Sequence, residues 1–320
     1  MRVLLFGVNT DLGFAVAKRL IAGGDRVTAP TVYPASSWRK SGVKAFPTDH
    51  EPLKQLQDPR VQHELAKAEA VIDVVLPAAW HLERVHLSRL RPILLRRSLA
   101  GSGRTVLVSS SAAVLGDTGP VPVGEKARAN SQHGFAWVSR FEKEILTSPD
   151  VRGIVIRPAW HIHGGKMWFS VELGIWINLA LALKTGIYIG SGENRYSAAH
   201  HEDLADLYCL ALRKCSAGTL LHGAAENFTM RELAAAIHRG LRLKGEPSSL
   251  SLEKARRCTN VDLLIQSHAL SSDLAKQTLG WRPFRDSIMK EIEFDAYASR
   301  GELGRVRLPR IVRKTGTRSK

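Results

Sequence analysis

Cysteine is scarce. Cys209, Cys215 and Cys258 are the only three in 320 residues, and they lie apart without metal-ligand or redox spacing. That argues against a cysteine-built centre and fits reduced thiols in a cytosol-like compartment. Apolar runs are short as well. None reaches the ~18 residues that cross a bilayer, and the nearest candidate, residues 175–183, reads as a buried helix. The opening residues Arg2-Val3-Leu4-Leu5-Phe6-Gly7 read as a strand entering a turn, so no signal peptide and a cytoplasmic location are expected. Acidic residues are in the minority, 30 against 46 Lys and Arg, for a formal charge of +16. The excess is dispersed, and no helix-turn-helix, zinc-finger or aromatic RNA-binding signature accompanies it. Nucleic acid is therefore not the expected partner. Such a surface still attracts acidic ligands, a phosphorylated cofactor or a carboxylate among them. Residues 301–320 hold seven Lys/Arg against one Glu and read as a solvated basic tail.

What the chain does have is alternation. Strand-length apolar runs stand at 3–6, 27–29, 71–76, 105–109 and 153–157, with helical stretches between most of them. Continuous Val, Leu and Ile runs suit parallel strands covered on both faces. The spacing predicts an α/β fold: a Rossmann-like doubly wound parallel sheet with a smaller C-terminal substrate lobe. The boundaries expected are 1–160 with part of 190–225 for the dinucleotide lobe, 161–300 mainly for the substrate lobe, and 301–320 for the tail. Helices are expected near 170–185, 203–213 and 229–242. The last opens on Thr229-Met230-Arg231-Glu232, a capping box.

The strongest local motif is Gly7-Val8-Asn9-Thr10-Asp11-Leu12-Gly13, directly after the first strand. A glycine at a strand end lets backbone amides approach a diphosphate, and the following helix start adds partial positive charge. Gly7, Asn9, Thr10, Leu12 and Gly13 are thus the expected cofactor contacts. Thr10 stands where a middle glycine is usual, and its side chain narrows the turn. Val27-Thr28-Ala29-Pro30-Thr31-Val32-Tyr33 offers no carboxylate for ribose hydroxyls, whereas Arg39 and Lys40 follow and suit a 2′-phosphate. NADP is preferred on that ground, with NAD the alternative.

Further segments carry a family likeness. Val106-Leu107-Val108-Ser109-Ser110-Ser111-Ala112-Ala113-Val114-Leu115-Gly116, Phe46-Pro47-Thr48-Asp49, Leu76-Pro77-Ala78-Ala79, Ile156-Arg157-Pro158, the 190–205 segment and Leu279-Gly280-Trp281-Arg282-Pro283 together resemble the extended, atypical short-chain dehydrogenase/reductases of the epimerase/dehydratase type. The resemblance implies that Ser111 bonds the reacting oxygen, that Asp49 lies near adenine and that Ala78 flanks the cofactor. It also implies a homodimer through paired helices, one including residues 134–147. The family's Tyr-x-x-x-Lys pair is missing. With Ser139-Arg140 set on the usual Ser-Lys, Ala136 falls at the tyrosine, and no tyrosine occurs between Tyr33 and Tyr188. Arg140 can hold a ribose, but a pKa above ~12 bars it from shuttling protons.

Histidines are the natural substitutes, because their pKa lies near working pH. His161 and His163 follow the Arg157-Pro158 strand, where the family's loop borders substrate. His133, His200 and His201 are further candidates, His200 at a position the family usually gives to histidine. His161-Ile162-His163 lacks a third ligand, so no metal is expected. Trp137, Trp160, Trp168 and Trp176, with His200, are expected to line a cleft for an apolar or aromatic metabolite, such as a natural-product intermediate. Three functions remain open. One is proton chemistry (isomerisation, cyclisation or elimination) with NADP bound or vestigial. Another is an NADP-dependent oxidoreductase with a non-tyrosine donor, and the third is a noncatalytic dinucleotide sensor or partner-binding protein.

Overall fold

A computed structural model describes residues 1–32, 38, 40–49, 51–76, 91–130, 135–165, 171–256 and 261–294. In chain order its first elements are β1 (Arg2–Phe6), α1 (Asp11–Ala22), β2 (Arg26–Thr31), β3 (Lys44–Pro47), α2 (Pro52–Gln57), α3 (Pro59–Lys67) and β4 (Ala70–Asp73). Next come α4 (Arg91–Ser98), β5 (Thr105–Ser109), a 3-10 turn (Ala112–Leu115), α5 (Ala136–Leu146), β6 (Arg152–Pro158) and β7 (His161–His163). After these lie α6 (Val171–Leu183), β8 (Ile187–Ile189), β9 (Arg195–His200), α7 (His201–Lys214), β10 (Thr219–Gly223) and β11 (Glu226–Thr229). The last are α8 (Met230–Gly240), β12 (Ser248–Leu250), α9 (Leu252–Arg256), α10 (Asp273–Leu279) and α11 (Ile288–Glu293).

Seven strands form one sheet in the order β10-β6-β5-β4-β1-β2-β3, every pair parallel. This is the Rossmann-like doubly wound sheet that the alternation predicted. Val3 to Phe6, all of β4 and all of β5 are buried, as strands covered by helices on both faces must be. Pro30 of β2 lies beyond the last pair with β1, Leu4↔Thr28, and stands opposite Phe46 of the edge strand β3. The edge strand β3 escaped the sequence reading because Lys44-Ala45-Phe46-Pro47 is short and only partly buried.

Two apolar cores result. The larger packs around the sheet, α1, α5 and α7, and takes in Trp281 from the late loop. The smaller is built from α6, α8, α11 and the three-stranded sheet β11-β9-β7, with Trp176, Tyr196, Phe228 and Ile237 inside it. Trp160 packs against both. The late loop is fastened to the start of α7: Phe284 N and Arg285 N each donate to the Asp203 carboxylate at 3.2 Å, and Trp281 Nε1 donates to its carbonyl at 2.8 Å. Both sides of the Thr229–Glu232 capping box form as the sequence predicted. Among the described residues no helix is long and apolar enough to cross a membrane. Cys258 and residues 301–320 lie outside the described residues.

Candidate active site

The glycine turn sits at the carboxyl end of β1. Gly7 has φ +91°, a left-handed conformation that disfavours any side chain. Gly13 must be glycine for a different reason, since a Cβ there would stand 2.0 Å from the Gly7 carbonyl oxygen. The start of α1 is thereby seated directly on the turn. Thr10 spends its hydroxyl inside this structure, donating to Gly7 O at 2.8 Å and accepting from Gly13 N at 3.0 Å. It is the helix cap. Asn9 is half-buried, whereas Leu12 is 4% exposed and belongs to the core, leaving only its backbone to face a ligand.

At the neighbouring end of β4, Asp73 and Arg91 form a buried two-pronged pair at 2.7 and 3.1 Å. Asp73 also accepts from Val75 N at 3.0 Å, and the Arg91 guanidinium lies 5.7 Å from the Phe6 ring centroid. This pair stiffens the strand end whose valine methyls wall the turn: Val74 and Val75 each lie within 3 Å of where a Gly7 Cβ would be. Sequence reasoning missed it, although an aspartate ending an apolar strand was the available signal. Lys40 is exposed. Asp49 is exposed too, and its carboxylate accepts from Glu51 N at 2.8 Å. Arg39, Ala78, His133 and Trp168 lie outside the described residues.

Ser111 follows β5. It is half-buried, with extended backbone (φ −142°), and its hydroxyl accepts from Ala113 N at 3.2 Å to cap the 3-10 turn. That turn packs against α5, which carries Ala136 and an exposed Arg140. Trp137 is half-buried on the same helix, 6.2 Å from Phe141. Beneath them runs a buried polar network. Ser110 donates to Glu142, Arg157 donates to both Glu142 oxygens at 2.8 and 2.7 Å, and Arg157 Nη1 lies 3.4 Å from His222 Nε2. His222 Nδ1 stands 3.2 Å from the carbonyls of both Val123 and Ser271. Burial, reinforced by Arg157, pushes its pKa down to about 4, so at neutral pH it is uncharged with its proton on Nδ1. Tyr208 from α7 meets Ser109 at 2.6 Å, and burial pushes its phenol pKa up. Nothing in the local sequence marked either contact, because each joins residues far apart in the chain.

The histidines of β7 face elsewhere. His161 is fully buried between Tyr196 (5.3 Å, edge-on) and Phe228 (5.9 Å, stacked). Burial lowers its pKa to about 3, with His163 and His268 adding to the effect. His163 Nδ1 lies 3.1 Å from Glu291 of α11 and its Nε2 lies 3.9 Å from Glu226. Both rings thus turn toward the smaller core, whereas Ile162, between them, packs on the larger one. His200 caps α7, its Nδ1 accepting from Glu202 N at 3.1 Å, with Nε2 3.6 Å from Glu291. Burial and the neighbouring His201 hold its pKa at about 4. Trp160 stacks on His268 at 3.7 Å and an interplanar angle of 3°, while Trp176 is 2% exposed inside the smaller core. Ser111 and the Arg140 helix are brought together; His161 and His163 do not join them.

No protein-family model matches the chain. Over 205 residues it is 31% identical to the uncharacterized protein C2A9.02 of Schizosaccharomyces pombe, covering 62% of this chain and 67% of that protein. The uncharacterized protein YLL056C of Saccharomyces cerevisiae is 24% identical over 91% of this chain and 98% of its own. Among solved structures, a dTDP-glucose 4,6-dehydratase of Bacillus anthracis in complex with NAD superposes with a TM-score of 0.73 at 14% identity, covering 94% of this chain and 97% of that one. A UDP-glucose 4-epimerase of Thermotoga maritima with UDP-glucose gives 0.70 at 15%, covering 92% and 96%. The fold is that of the Rossmann epimerases and dehydratases.

Proposed function

The chain belongs to the same family as the fission-yeast protein C2A9.02, and we propose that it is a dinucleotide-binding enzyme of epimerase/dehydratase fold acting on a small metabolite by proton chemistry. The observation that carries this reading is Ser111: a half-buried hydroxyl at the carboxyl end of β5, on the sheet edge that also bears the Gly7–Gly13 turn. Ligands of doubly wound sheets bind along that edge. The residues present fit a nicotinamide dinucleotide, because Gly13 seats the helix start on the turn and Gly7, at φ +91°, makes the tight turn that Val74 and Val75 wall. When bound, that group supplies hydride chemistry and an electrophilic ring. Lys40, with Arg39, would favour a 2′-phosphate and hence NADP.

Ser111 donates its hydroxyl proton toward a carbonyl or enol oxygen of the substrate while its lone pair stays on Ala113 N. Arg140 fixes a hydroxyl or carboxylate from the exposed face of α5 as a permanent cation. With Ala136 at the expected tyrosine position, that helix position has no acid to pair with hydride transfer. Enolisation is the chemistry this arrangement favours, the carbon proton passing to solvent water and a proton returning from water at another carbon, with Ser111 and Arg140 holding the developing oxyanion. Trp137 and Trp160, both half-buried, support an apolar or aromatic substrate.

Two measurements test this reading. Tryptophan-fluorescence titration with NADP(H) and NAD(H) should give saturable binding. A panel of cyclic ketones and enones in D2O should incorporate deuterium with the nicotinamide absorbance unchanged, and Ser111→Ala should reduce that exchange about 100-fold. Stoichiometric loss of NADPH absorbance would instead establish an oxidoreductase with another proton donor.

A further inference from the structure

Asp11 is the first residue of α1 and is half-buried. Its side chain touches a segment remote in the sequence. A Cβ built on Gly165 would fall 2.2 Å from both Cγ and Oδ2 of Asp11, so the carboxylate fills the space a side chain there would need. The strand leading toward Gly165, β6, lies three places from β1 in the sheet, ~14 Å at the usual strand spacing. The chain from Ala159 to Gly165 covers that distance, pairing with β9 through His161–His163 on the way, and meets Asp11 at the start of α1, which follows β1 at the topological switch point of the sheet.

The same helix start would have to receive a diphosphate. Its amides and dipole favour an anion, and here one amide is already taken and a carboxylate already stands in the first turn. Thr10 Oγ1 takes the Gly13 amide. Asp11 contributes a carboxylate to the first turn. A diphosphate on this turn thus meets a like charge less than one helical turn away.

We propose that Asp11 is a specificity-determining residue: its carboxylate, lodged between the start of α1 and Gly165, lowers the affinity of the crevice for diphosphate-bearing ligands. Binding then depends on the adenosine and nicotinamide ends more than on the diphosphate. The inference rests on the dinucleotide-binding reading above and concerns how strongly, and through which part, the dinucleotide is held.

Isothermal titration of the full chain against Asp11→Asn tests it, using NADP+, NAD+, ADP-ribose and adenosine in buffer containing EDTA. The variant should bind the three diphosphates about five- to tenfold more tightly, with adenosine unchanged. Asp11→Ala, which removes the charge and leaves Gly165 untouched, should shift diphosphate affinity the same way, with a melting curve reporting that it folds. Equal or weaker diphosphate binding in Asp11→Asn overturns the proposal. Wild-type binding that strengthens when Mg2+ replaces the EDTA, with no such gain in Asp11→Asn, would overturn it too, because the carboxylate would then hold a metal-bridged diphosphate. If neither protein binds any dinucleotide, the functional reading falls as well; if the wild type binds and the variant gains nothing, only this inference falls.

Discussion

Arg157 and Glu142 form a two-pronged ion pair at 2.8 and 2.7 Å, each side chain only 4% exposed. The pair ties β6 to α5, and Ser110 completes it from the end of β5. Ser110 adjoins Ser111 in sequence, and Glu142 is on the helix that bears Arg140. The pair's work is positional: it sets how α5 lies against the strand ends.

Removing one partner should therefore cost much more than a surface ion pair. Glu142→Ala leaves a buried guanidinium without its counter-charge and is expected to destabilise the chain by about 3–5 kcal/mol. Glu142→Ala combined with Arg157→Met should recover part of that loss. Urea unfolding of the two single variants and the double variant measures the coupling.

Gly13→Ala is expected to abolish dinucleotide binding. Its methyl would meet the Gly7 carbonyl at 2.0 Å, and backbone has to move to relieve that contact. Titration calorimetry checks the binding, and far-ultraviolet circular dichroism checks that the fold survives.

The Thr10 hydroxyl is expected to stabilise the start of α1. Thr10→Ala removes the cap of α1 and should cost about 1 kcal/mol, whereas Thr10→Gly should cost only a few tenths. Urea midpoints equal to wild type in both variants would show that the hydroxyl does not stabilise the helix start.

Stability should fall in acid. His161 has a folded pKa of about 3 against an ordinary 6.5, so between these values the unfolded chain binds the additional proton. The stabilisation is complete above pH 6.5 and declines toward pH 3, by about 1.4 kcal/mol per pH unit from this residue at full effect. His161→Phe should flatten the decline in unfolding free energy between pH 7 and pH 5. An unchanged slope would assign the acid sensitivity to other groups, with His200 and His222 the next to replace.

Much of the frame was legible in the residues. The runs at 3–6, 105–109 and 153–157 are strands because contiguous Val, Leu and Ile side chains can be hidden only in a sheet covered on both sides. Thr229 and Glu232 cap a helix because the motif is local and complete within four residues. Short pieces such as β3 and β7 were not legible, since their stability comes from the strands they join.

The sequence by itself determined the doubly wound frame, the glycine turn and the absence of tyrosine from the segment that includes α5. Those features depend on residue type and near-neighbour spacing. Only the tertiary structure decided where the polar groups go. It turns His161 and His163 toward the smaller core, buries Glu142 against Arg157 and sets Asp11 against Gly165, which is 154 positions further along. Burial and through-space charge follow from chain crossings over the sheet, and sequence spacing carries no measure of them.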